Sequence, residues 1–69
     1  MDALGPLEME VLGLLRPEPS TVADVRARLQ ATGSDPAYTT VMTVLVRLHR
    51  KGLVERRREG PRPKSRSRA

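Results

Sequence analysis

The sequence predicts an all-α fold with a minor β element, three helices in series followed by a short basic strand. Three observations carry that prediction. Apolar residues recur at helical spacing in three separate stretches, Pro and Gly punctuate the chain between them, and the run Leu53-Val54-Glu55-Arg56-Arg57-Arg58 directly follows a glycine suited to end a helix. At 69 residues the chain supports one domain at most, and a domain of this size buries only about 60% of the surface its unfolded chain exposes. With no Phe, no Trp and Tyr38 as the one aromatic residue, the core is expected to come from Leu, Val, Met and Ala. The larger of these contribute about 1.5–3 kcal/mol each when fully buried.

The first helix is expected to start at Gly5-Pro6-Leu7-Glu8. Gly is a permissive cap, Pro is tolerated at the first helical position, and Glu8 lies near the positive end of the helix dipole. Leu7, Val11, Leu14 and Leu15 follow at helical spacing, and the run is expected to stop at Arg16 because Pro17 disfavours the helical region for the residue before it. Thr21-Val22-Ala23-Asp24 reads as a capping-box variant opening a second helix of about ten residues. Val22, Val25 and Leu29 form its apolar stripe, Asp24, Arg26, Arg28 and Gln30 are expected to face outward, and Thr32-Gly33-Ser34 supplies the stop.

The third helix is expected from Tyr38 to Lys51, with two starts compatible with the pattern: Asp35-Pro36 as cap and first residue, or a point nearer Tyr38. Val41, Val44, Leu45 and Leu48 cluster on one side of its wheel, and Thr39, Thr43, Val46, Arg47 and Arg50 spread over the other. Gly52 ends it. The strand from Leu53 leads to a turn at Glu59-Gly60-Pro61, after which Arg62 to Ala69 offers no apolar residue except the last. Such a segment has nothing to bury and is expected to be disordered. The expected division is therefore 1–58 as the folded domain and 59–69 as a basic, disordered tail.

Charge is distributed unevenly. Residues 1–46 carry three Arg against six Asp and Glu, whereas residues 47–69 carry ten Lys and Arg against two Glu, giving −3 and +8 within the overall +5. A basic end on a mildly acidic body suits a polyanion, because neutralising phosphates releases condensed counterions. The chain contains no cysteine, so neither a disulfide framework nor a thiolate metal site is expected. No apolar run approaches the roughly 20 residues that span a bilayer, and the start of the chain lacks signal-peptide character. A cytoplasmic location is expected, with no membrane partner and no small-molecule ligand.

Three helices with a tight turn before the third, then a basic strand, are the order of parts in a winged helix-turn-helix with a short or incomplete β wing. The third helix then carries the function. Thr39, Thr40 and Thr43 are short hydroxyl-bearing residues able to bond phosphates or base edges, Arg47 and Arg50 reach farther, and Tyr38, Lys51, Arg57 and Arg58 complete the expected DNA-binding set. Thr is a mediocre helix former, so its concentration here favours contact with double-stranded DNA over a merely solvated face. No nucleophile, phosphate loop or metal cluster argues for an enzyme. His49, the only histidine, has no second ligand, and neither metal nor cofactor is expected. Glu8, Glu10, Asp24 and Asp35 are explained by capping and dipole effects near helix starts.

Through Glu8-Met9-Glu10-Val11-Leu12, Ala37-Tyr38-Thr39-Thr40-Val41-Met42-Thr43-Val44-Leu45, Arg47-Leu48 and Lys51-Gly52-Leu53-Val54, the sequence resembles the penicillinase-repressor (BlaI/MecI/CopY) family of winged-helix transcriptional regulators over about residues 4–58. The resemblance implies a repressor that binds a palindromic operator as a dimer, with the third helix in the major groove and a β-hairpin wing on the flanking backbone. Carried over by position, Thr40, Thr43 and Arg47 fall on groove-facing sites, with Tyr38 and Thr39 beside the phosphates at the start of the helix. Val46 departs from the polar residue relatives often carry. An exposed valine can still meet a thymine methyl, and the identity of the operator stays open at this position.

Family members close the wing with a second strand and continue into a helical dimerisation region, and both are expected to be missing from residues 59–69. Two alternatives follow. The chain is a truncated relative acting as an interaction module or non-functional remnant, or it is a small basic RNA-binding protein; as a DNA-binding regulator it is expected to partner with a second copy, as a homodimer, or with a full-length relative, as a heterodimer. Against RNA stands the shortage of base-stacking aromatics, Tyr38 alone.

Overall fold

The computed structural model describes residues 4–59 and 62–68, with the side chains at 58, 59 and 62 outside that description. Its elements are α1 (Pro6–Leu14), α2 (Val22–Ala31), α3 (Tyr38–Arg50), β1 (Val54–Glu59) and β2 (Arg62–Ser67). Gly5 caps α1 with Pro6 as its first residue, as expected. The helix ends at Leu14 rather than Arg16, because Leu15 takes an extended backbone and turns into the core, where it is buried.

The capping box of α2 is present in full. The Asp24 amide donates to Thr21 Oγ1 and the Thr21 amide to Asp24 Oδ2, both at 3.1 Å. At the other end Gly33 adopts φ +94°, which lets the Ser34 amide reach Leu29 O at 3.0 Å and the Gly33 amide reach Gln30 O at 3.1 Å. This paired closure leaves fewer orphan carbonyls and turns the chain sharply toward α3. Gly52, at φ +78°, repeats the closure after α3, with Leu53 donating to Leu48 O and Gly52 to His49 O, each at 3.0 Å.

Of the two starts open for α3, the structure takes the later one, with Ala37 as N-cap and no side-chain cap. Asp35 is occupied elsewhere. Its Oδ1 accepts from Gln30 Nε2 at 2.9 Å and from Arg26 Nη2 at 3.4 Å, while Arg26 Nε donates to Pro36 O at 2.9 Å. Side chains of α2 therefore hold the turn that aims α3.

The buried core consists of Val11, Leu15, Val22, Val25, Leu29, Val41, Val44, Leu45, Leu48 and Val54. It is wholly Val and Leu. The expectation that Met would share it fails, since Met9 is 61% exposed and Met42 44%. Arg28, expected to face outward, is half-buried and donates through Nη1 to Ser20 Oγ at 2.9 Å and to Leu14 O at 3.4 Å. Glu10 likewise acts at a distance, accepting from Ser34 Oγ at 2.6 Å and from Thr32 Oγ1 at 3.3 Å. That contact docks α1 on the turn after α2.

The expected disorder of residues 59–69 is corrected at Arg62–Ser67, which form β2, while Gly60 and Pro61 of the expected turn and Ala69 lie outside the described residues. Arg62–Ser67 pairs antiparallel with β1 in a register that sets Val54 opposite Ser67, Arg56 opposite Ser65 and Arg58 opposite Pro63. On its other edge Ser65 exchanges both backbone hydrogen bonds with Ser20 at 2.8 Å, and the Ser67 amide donates to Arg16 O at 3.2 Å. The inference from composition failed because it counted only side chains. β2 is held by main-chain bonds on both edges, and the one buried among its described side chains, Ser65, is small enough to lie beside a buried Ser20. The wing thus has the second strand that the sequence reading expected to be missing.

Candidate nucleic-acid interface

The strong apolar stripe of α3 fixes its rotation, because Val41, Val44, Leu45 and Leu48 must face the core. The opposite face is then set by geometry. Thr39, Thr40, Thr43, Arg47 and Arg50 are all exposed on it, as the sequence reading expects. The Thr43 hydroxyl donates to Thr39 O at 2.9 Å, which commits its proton to the helix backbone on an exposed side chain.

Two grooves flank α3. On the α1 side, a groove of about 410 Å³ runs between Gly5, Pro6 and Leu7 and the α3 residues Thr40, Thr43 and Arg47. On the other side, a groove of about 390 Å³ lies between the start of α2, the α3 residues Tyr38, Met42 and Val46, and the hairpin's Arg56 and Pro63.

The remaining expected contacts divide. Lys51 is only 20% exposed at its side chain and donates through Nζ to Glu8 Oε2 at 2.7 Å, so it ties the end of α3 to the start of α1 rather than projecting from the face. The Lys51 ammonium in turn holds the Glu8 carboxyl below its ordinary pKa of 4.5, against a smaller opposing effect of burial. Arg57 is exposed; it alternates with Arg56 along β1, and both line a hollow of about 280 Å³ with His49 and Pro63. The Arg58 side chain lies outside the described residues. Arg56, absent from the set expected from sequence, is the arginine that walls the groove beside α3. Alternation from the buried Val54 puts Arg56 on the inward face of β1, a signal that the sequence itself carries.

On the hairpin's other face Arg66 grips Glu55, donating from Nη2 at 2.9 Å and from Nε at 3.3 Å. The His49 ring Nδ1 sits 3.1 Å from Val54 O, between α3 and β1. Among the described residues no cluster of three or more His, Cys, Asp or Glu could hold a metal, and no helix is long and apolar enough to cross a membrane.

Three helices, a tight turn before the third and an antiparallel hairpin against its flank define a winged helix-turn-helix protein. The chain belongs to the penicillinase-repressor family, whose sequence profile matches residues 4–65. Two relatives, each described as transcriptional regulator BlaI, come from Mycobacterium tuberculosis strains CDC 1551 / Oshkosh and ATCC 25618 / H37Rv. Both are 55% identical over 53 residues, a stretch covering 74% of this chain and 38% of theirs. The chain thus spans well under half the length of these relatives. No solved structure matches it.

Proposed function

We propose that the chain is a sequence-specific DNA-binding transcriptional regulator of repressor type, which lays α3 in the major groove and rests its hairpin on the flanking backbone. The observation that carries this reading is the outward face of α3, where Thr39, Thr40, Thr43, Arg47 and Arg50 stand together between two grooves, one walled by Arg56. Family membership and the relatives' description as transcriptional regulators support it. In this reading Thr40, Thr43 and Arg47 address base edges, while Tyr38, Thr39, Arg50 and the arginines of the wing address phosphates. Lys51 contributes by holding the helix end. The molecule's largest dimension is 30 Å, less than the roughly 34 Å of one DNA turn, so one copy covers one half-site. A palindromic operator then takes two copies, either of this chain or of this chain with a full-length relative.

The test is fluorescence anisotropy of the full chain on duplexes selected from a randomised library. Replacing Thr43 and Arg47 together by Ala is expected to abolish preference for the selected duplex over a scrambled one while leaving weak, salt-sensitive binding. Unchanged preference in that variant would show that the recognition face is misassigned.

A further inference from the structure

Tyr38, Met42 and Val46 follow one another at i, i+4 spacing, a single ridge along α3 that continues into Arg50. Four large hydrophobic residues are exposed among those described, and two of them, Tyr38 at 47% and Met42 at 44%, lie on this ridge. Val46, between them and Arg50, is partly exposed, and all three apolar residues line the same groove. The core does not account for them. It is filled by the neighbouring stripe of Val41, Val44, Leu45 and Leu48.

The ridge is single file and ringed by polar groups, with Thr39, Thr43 and Arg47 on one side and Arg56 across the groove on the other. Cations around a narrow apolar line suit an occupant that carries phosphates at its margins and small apolar groups in its middle. Major-groove base edges offer donors, acceptors and one apolar group, the 5-methyl of thymine. Resting on the proposed seating of α3 in DNA, we infer that Met42 and Val46 are specificity-determining residues that read thymine methyls. Residues four apart stand about 6 Å apart along a helix, against about 3.4 Å per base pair. The two thymines recognised therefore lie about two base-pair steps apart.

The experiment takes the duplex selected above and replaces each thymine in turn with uracil, which deletes the methyl and leaves base pairing intact. Uracil at two positions about two steps apart is expected to weaken binding about fourfold each, the equivalent of burying one methyl-sized group. Val46→Ala should remove the sensitivity at one of these positions and Met42→Ala at the other. Both residues lie outside the core, and uracil scanning of the unaltered protein provides the same test without any variant.

If the fully uracil-substituted duplex binds as tightly as the thymine duplex, the methyl reading is overturned while DNA binding stands. If neither duplex binds, both readings fall together. Sedimentation of the DNA-free protein covers the remaining occupant: a dimer dispersed by Met42→Ala would assign the ridge to a second copy and overturn the inference.

Discussion

The helical body and the hairpin are held by different forces. The core of α1, α2 and α3 is built from buried Val and Leu side chains, whereas among its described residues the hairpin places Val54 in the core, is attached to the body by backbone hydrogen bonds to Ser20 and Arg16, and is clasped across its own strands by the Glu55–Arg66 pair. One region is organised by the hydrophobic effect and the other by main-chain pairing. The lesson is that a basic segment devoid of apolar side chains can be structured if a neighbouring strand and loop both offer it an edge.

The comparison can be broken or sharpened in three ways. The largest effect is expected from Leu48→Ala, which empties a fully buried position at the centre of the core. A cost of about 2–5 kcal/mol is a large share of the stability of so small a domain. Body and hairpin should lose structure together in far-ultraviolet circular dichroism, and a variant that melts at the parent temperature would show that the core is not what unites them.

Next is Ser65→Pro, which removes the amide that donates to Ser20 O at 2.8 Å. Leaving that carbonyl without its donor costs about 1–3 kcal/mol. Hydrogen exchange should accelerate throughout β1 and β2 and remain slow in the helices. Acceleration spread equally over α1–α3 would mean that the hairpin is part of the body after all.

The smallest effect is acid sensitivity. Glu8 is held below its ordinary 4.5 by the Lys51 hydrogen bond, Asp24 below 3.8 by the Thr21 amide and hydroxyl, and Glu55 below 4.5 by the Arg66 hydrogen bond. Each binds fewer protons folded than unfolded, so its contribution is complete above the unfolded value and disappears as pH falls through the lowered folded one. Denaturation midpoints measured from about pH 6 to pH 3 should therefore decline. Lys51→Met should flatten the part of the decline that belongs to the body, and Arg66→Met the part that belongs to the hairpin. A decline of the same depth in both variants would remove these pairs as its cause.

What could be read from the sequence was local. Thr21 and Asp24 sit three residues apart and announce the start of α2; Gly33 and Gly52 mark its end and that of α3; and the spacing of Val41, Val44, Leu45 and Leu48 fixes which face of α3 is outward. From that face Thr39, Thr43, Arg47 and Arg50 follow directly. Contacts between distant residues left no such mark. Lys51 meets Glu8 across 43 positions and Ser34 meets Glu10 across 24, and the hydrogen bonds that order β2 belong to backbone atoms that every sequence shares. Arg56 could have been told from Arg57 by counting two residues on from the apolar Val54 along the strand.

Tyr38 has a practical consequence. As the only aromatic side chain besides the His49 imidazole, it is the molecule's sole ultraviolet fluorophore, and it stands half exposed at the start of α3 rather than inside the core. Intrinsic emission in this protein is therefore a label already attached to the start of α3's exposed flank. It responds to what is laid against α3 and is nearly blind to the packing of the interior.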